Sequence, residues 1–100
     1  MRTFGRDTTR IHVRVGERFA LELGAAATAG FKWMLRQVPE VAALTEERIR
    51  PGGPHLGASS IQEFEFTAER IGTSPLLLEY KRPWESGEGK RLTIEVVVEP

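Results

Sequence analysis

Residues 63–68 constrain this chain more than any other stretch. Phe64, Phe66 and Ala68 fall on one side of a period-two alternation, and Glu63, Glu65 and Thr67 on the other. Only an extended strand sends successive side chains to opposite faces, so the run predicts a strand with an apolar inner face and a solvated carboxylate face. The same period recurs. Ile11, Val13 and Val15 alternate with polar residues in 10–15, Phe19, Leu21 and Leu23 in 18–23, and Leu92, Ile94, Val96 and Val98 in 91–99. Residues 31–36 carry apolar groups on both faces, which places Trp33 in the core, and 74–80 reads as a buried strand. Segment 44–50 is extended, while Pro39-Glu40 opens at most a single helical turn within 38–43. Turn-rich stretches at 16–17, 51–60, 71–73 and 82–89 separate these runs. Short strands, frequent turns and no long helical period predict an all-β chain, an immunoglobulin-like antiparallel β-sandwich or barrel of seven to eight strands. The 100 residues read as a single domain, with the polar residues 1–8 expected to be disordered.

Charge and composition close off several functions. Fourteen basic side chains balance fourteen acidic ones, so no net field favours nucleic acid or an anionic membrane. Cysteine is absent, which excludes thiol nucleophiles and thiolate metal sites and leaves the compartment open. No apolar run approaches the length of a helical membrane span, and residues 1–10 lack the hydrophobic stretch of a signal peptide. The chain is therefore expected to stay unexported unless a signal has been removed. His12 and His55 stand 43 positions apart without clustered ligands, and His12 falls on the polar face of its strand. Ser59, Ser60 and His55 lack the Gly-x-Ser-x-Gly turn of a hydrolase, and the only aspartate, Asp7, lies in the polar N-terminal stretch. Gly52-Gly53 is followed by Pro54, which has no N–H for a phosphate. Neither enzyme activity, a metal nor a cofactor is expected.

Two connections carry unusual residues. Gly24-Ala25-Ala26-Ala27-Thr28-Ala29-Gly30-Phe31-Lys32-Trp33 has no charge before Lys32 and none of the Asn, Asp, Ser or Pro that usually stabilise turns. Its alanines are too few to nucleate a helix between flanking glycines, so it reads as a slim, smooth loop with Gly30 supplying the turn into the next strand. In Tyr80-Lys81-Arg82-Pro83-Trp84-Glu85-Ser86-Gly87, proline stiffens the backbone beside a tryptophan and an arginine. Tryptophan and arginine are the residue types most enriched at interface hot spots. Trp84 suits two placements equally, an exposed contact or a cap folded over the end of the sandwich.

Taken in order, three loops resemble those of the chagasin-like inhibitors of papain-family cysteine proteases. That family carries Asn-Pro-Thr-Thr-Gly-Tyr/Phe, then Gly-x-Gly-Gly, then Arg-Pro-Trp/Phe. Here the third motif is intact as Arg82-Pro83-Trp84. Thr28, Gly30 and Phe31 match the first, whereas Ala26, Ala27 and Ala29 replace Asn, Pro and the second Thr. The second appears as Gly57-Ala58-Ser59-Ser60, with serine at both later glycines. The resemblance spans about Val15 to Val98 and implies a non-enzymatic, reversible inhibitor acting as a monomer on a papain-like cysteine protease. It implies that Thr28, Ala29, Gly30 and Phe31 form a wedge over the catalytic cysteine. Arg82, Pro83 and Trp84 would clamp one wall of the cleft, and Gly57, Ala58, Ser59 and Ser60 would hold the other more weakly. The substitutions remove a proline restraint and local side-chain hydrogen bonds from the wedge, and add Cβ atoms to the second loop. The alternative is a non-inhibitory immunoglobulin-like adhesion or ligand-recognition module using the same loops. The arginine-over-lysine bias and abundant Ala and Gly point to a GC-rich bacterial source.

Overall fold

The computed structural model describes residues 1–52 and 59–100. Among the described residues eight strands follow one another: β1 (Arg2–Phe4), β2 (Arg10–Arg14), β3 (Arg18–Ala25), β4 (Lys32–Gln37), β5 (Ala42–Pro51), β6 (Ser60–Ala68), β7 (Gly72–Lys81) and β8 (Lys90–Glu99). They form two four-stranded sheets, ordered β1-β3-β6-β5 and β2-β8-β7-β4. The inward residues of the alternating runs meet between the sheets. Ile11, Phe19, Leu21, Leu23, Phe64, Phe66, Leu76, Leu78, Ile94 and Val96 are all buried, and Phe19 stacks on Phe66 with ring centroids 5.3 Å apart. Trp33 joins this core at 2% exposure.

Three expectations need correction. The N-terminal residues are not a frayed tail: β1 pairs in parallel with Phe19–Leu21 of β3. Phe4 packs edge-on against Phe19 at 6.5 Å, and the Arg2 guanidinium bonds the Glu17 carboxylate at 2.9 Å. Ladder pairing, one apolar side chain and the bonds from Arg2 to Glu17 and to the His12 carbonyl dock these three residues on the sheet edge. Nor is pairing wholly antiparallel, because β2 also lies parallel to β8. Thirdly, Glu65 does not stand on a solvated face. It is 4% exposed, covered by Arg18 at 2.7 Å and Arg48 at 3.1 Å. Between β4 and β5 the chain makes a turn, closed by the Ala42 N–H donating to Pro39 O at 3.2 Å, and no helix forms.

A buried polar side chain ties the sheets together. Gln62 on β6 has the inward parity of Phe64 and Phe66, yet it faces the edge strand of the other sheet. Its Oε1 accepts from the Trp33 N–H at 2.6 Å, and its Nε2 donates to the Trp33 carbonyl at 2.9 Å. The amide thus behaves like one residue of a neighbouring strand and satisfies an edge that β4 would otherwise leave open.

Two predictions follow from these polar groups. Gln62→Leu leaves the buried N–H and C=O of Trp33 unpartnered, at about 1–3 kcal/mol per group. Urea unfolding should therefore show a loss of about 2–4 kcal/mol, and a loss below about 0.5 kcal/mol would contradict the clamp. The second concerns acid. The Arg18 guanidinium, followed by that of Arg48, holds the Glu65 carboxyl below the usual carboxylate range. For Glu79 the Gly89 N–H does the same, followed by Arg36. A carboxylate lowered in the folded state stabilises fully above its unfolded pKa, about 4.3, and loses that contribution as pH falls through the lower folded value. Melting temperature should hold nearly flat from neutral to about pH 5 and drop below about pH 4, more gently in Glu65→Gln/Glu79→Gln. An unchanged acid limb in that variant would refute the assignment.

Candidate functional site

Strand direction gathers three connections at one end. β3 and β5 both run antiparallel to β6, and the register ends at Ala25 and Pro51 facing Ser60. In the other sheet Lys32 at the start of β4 faces Lys81 at the end of β7. The connections after β3, β5 and β7 therefore leave the sandwich from the same pole.

The first connection, Ala26–Phe31, contains a single 3₁₀ turn at Ala27–Ala29, closed by Gly30 in the left-handed region at φ 87°. Glycine reaches that region without steric strain. Within the loop, Ala29 and Phe31 donate to Ala26 O and Gly30 donates to Ala27 O, at 2.9–3.1 Å. The remaining fixings come from other elements. The Ala26 N–H donates to the Tyr80 hydroxyl at 2.8 Å, and the Thr28 N–H to Ser59 Oγ at 3.0 Å. Ser59 Oγ in turn donates to Ala25 O at 3.3 Å, the Trp33 indole N–H to Gly24 O at 3.0 Å, and Arg82 Nε to Ala29 O at 2.8 Å. Among the described residues, five of the six backbone N–H groups from Ala26 to Phe31 are thus bonded, while Ala27, Thr28 and Ala29 present small uncharged side chains to solvent.

A column of flat groups supports this loop. The Arg82 guanidinium lies 4.3 Å from the Phe31 ring centroid, Phe31 stacks on Tyr80 at 5.2 Å, and Tyr80 packs on Trp33 at 4.7 Å. Arg6 closes the column, 5.7 Å from the Trp33 ring. Cation–aromatic and aromatic pairs each add about 0.5–1.5 kcal/mol beyond burial, so the column stiffens the pole from core to tip. Above it, residues 82–85 make a turn, with the Glu85 N–H donating to Arg82 O at 3.1 Å and Pro83 in its second position. Trp84 follows, 72% exposed. Its indole rests on the bare Cα of Gly30: a Cβ there would collide with Cη2 and lie 3.0 Å from Cζ2.

The residues singled out from the sequence meet unevenly. Thr28, Ala29, Gly30, Phe31, Ser59, Arg82, Pro83 and Trp84 come together at this pole. Gly57 and Ala58 lie outside the described residues. Ser60 is a correction: it opens β6, paired with both Ala25 and Pro51, and at 7% exposure its side chain does not reach the surface. Arg82 also differs, because its guanidinium is committed to Ala29, Phe31 and Glu85 within the protein. Two supporting residues went unread, Gln62 and Tyr80. The available signal was parity: each is a polar-tipped residue in line with inward-facing neighbours, Phe64 and Phe66 for one, Leu76 and Leu78 for the other.

Among curated proteins, the chain is similar to Amoebiasin-2 of Entamoeba histolytica, 26% identical over 98 residues covering 92% of this chain and 79% of that protein. Its fold resembles the crystal structure of the cysteine protease inhibitor EhICP2 from Entamoeba histolytica, with a TM-score of 0.80 at 23% identity over 99% of this chain and 97% of that one. The solution structure of Amebosin superposes with a TM-score of 0.75 at 22% identity, covering 98% and 97% of the two chains. PbICP-C, solved in complex with falcipain-2, gives 0.62 at 15% identity over 99% of this chain and all of that one. Residues 12–98 match the family described as chagasin family peptidase inhibitor I42. The chain therefore belongs to the chagasin family, a family of peptidase inhibitors and not of enzymes.

Proposed function

We propose that the chain is a reversible protein inhibitor of papain-like cysteine proteases, occluding the active-site cleft with the Ala26–Phe31 loop. Flanking contacts come from the second connection and from Arg82–Trp84. The observation that carries this reading is the uncharged loop between Ser59 and Trp84, five of whose six N–H groups are bonded among the described residues. A wedge without charge displaces water from a cleft without burying an unpaired ion. A wedge already ordered avoids an entropic cost of about 1–2 kcal/mol per residue on binding. Trp84, held by a proline turn and left largely exposed, supplies the apolar anchor that such an interface needs. Arg82 acts mainly by positioning the wedge and the turn. The expected footprint is of ordinary size, about 800 Å² per partner, with one inhibitor monomer per enzyme. The named relatives support the protease target: EhICP2 is a cysteine protease inhibitor, and PbICP-C was captured on falcipain-2. Arginine bias and Ala/Gly content favour a bacterial source, though the curated relative comes from Entamoeba histolytica.

Titration against papain and cathepsin-type enzymes tests the proposal, and absence of inhibition at tens of micromolar removes it for those targets. Trp84→Ala should raise Ki about 30-fold or more, equivalent to about 2 kcal/mol, with the melting temperature unchanged. Ser59→Ala and Tyr80→Phe each remove one bracing hydrogen bond and should raise Ki about three- to tenfold, mainly through koff. Quenching of Trp84 fluorescence by oligosaccharides but not by an inactivated cysteine protease would favour the ligand-recognition module instead.

A further inference from the structure

The chain contains only three lysines, and the fold brings all of them to one corner beside the third connection. Lys32 and Lys81 face each other directly across the β4–β7 pair, and Lys90 faces Tyr80, the neighbour of Lys81. Like charges in direct cross-strand register destabilise a sheet, so this arrangement gains nothing for the fold. Elsewhere charges are matched: among the described residues eight of the eleven arginines hold a carboxylate within ion-pair distance, and no lysine does. The acids near the corner are already taken. Glu79 is bound by Arg36 and the Gly89 N–H, Glu85 by Arg82, and Glu88 by Arg91. Among the described residues Lys81 donates only to the neutral Gly87 carbonyl, at 2.7 Å. Lys81 and Lys90, with Phe31, Arg82 and the already paired Glu85 and Glu88, border a shallow depression of about 300 Å³ that adjoins the wedge.

We propose that Lys32, Lys81 and Lys90 form a cationic docking corner for carboxylates on the rim of the protease cleft, and that it accelerates association. This rests on the inhibitor reading, since the partner is the enzyme that the wedge enters. The occupant follows from charge and continuity. The corner is contiguous with the wedge and with Arg82–Trp84, so a protease seated on those loops overhangs it. Three cations there, none held in an ion pair among the described residues, lower the energy of approach for an acidic rim and raise it for a basic one. Because the whole chain is neutral, the field is local and sets orientation as well as rate. Lys32 and Lys90 are exposed and Lys81 is half-exposed, and ammonium groups on long stems suit steering better than tight contact, so the effect belongs to kon.

The test is stopped-flow association of the full chain with an inhibited papain-like protease bearing Asp or Glu along its cleft rim. The triple variant Lys32→Gln/Lys81→Gln/Lys90→Gln is compared with wild type, and matched unfolding midpoints confirm that both are folded. At about 0.02 M salt the variant should associate about tenfold more slowly, with koff changed less than about twofold. The gap should close at about 0.5 M salt, where screening is within a few ångströms, and with a protease whose rim carboxylates are replaced by amides. Wild-type inhibition with equal kon for the variant at low salt overturns the docking corner alone, as does a deficit lying entirely in koff. A wild-type chain that binds no such protease overturns the corner together with the inhibitor reading.

Discussion

A loop built almost wholly from alanine has few side chains with which to fix its own backbone, so beyond its own 3₁₀ turn its shape must come from its neighbours. Most of these neighbours are distant in sequence. The Tyr80 hydroxyl and the Arg82 guanidinium come from the end of β7 and the turn beyond it, Ser59 from the connection before β6, and the Trp33 indole from β4. Buried or half-buried peptide groups left unpaired would each cost about 1–3 kcal/mol, which is why the loop adopts the one conformation that meets all these partners. A wedge with little chemistry of its own is held by a scaffold that supplies it. In the resembled motif Asn, Pro and Thr stand where Ala26, Ala27 and Ala29 stand here, and Ser59 occupies a glycine position; its hydroxyl binds Thr28 and Ala25 together. The substitutions in the two loops are thus complementary.

The sandwich beneath explains why such bracing is possible. Gln62 pins the edge strand β4 through both backbone groups of Trp33, and Trp33 begins the column through Tyr80 and Phe31 to Arg82. Damage to the clamp should therefore reach the tip. Charges are kept to the outer faces, where Arg18 and Arg48 cover Glu65 and Arg36 covers Glu79. The three lysines beside the tip, by contrast, hold no carboxylate within ion-pair distance among the described residues.

Much of the fold was legible from the period-two pattern, because each inward run contributes alternate apolar residues to a single core. Phe64, Phe66, Ile94 and Val96 behave in this way. The short β1 was not legible, since three residues with one phenylalanine carry no period. Glu65 misled because its arginine partners lie 47 and 17 residues away, beyond any local pattern. At the site, the loops and the Arg82-Pro83-Trp84 motif are legible in the sequence, whereas the exposure of Trp84 is set by the fold, which seats its indole on Gly30 instead of in the core. Bracing by Tyr80 and Ser59 depends on register between strands, which hydrophobic spacing alone does not specify.

The claim on which this account turns is that the Ala26–Phe31 loop is ordered before any partner arrives. Amide hydrogen exchange of the free protein, resolved by residue, measures it directly. The account predicts that the amides of Ala26, Thr28, Ala29, Gly30 and Phe31 exchange at least about a hundredfold more slowly than an unstructured chain, with Ala27, whose N–H has no partner among the described residues, faster. Exchange of all six amides at the unstructured rate would show a loop ordered only by its target, and would contradict it.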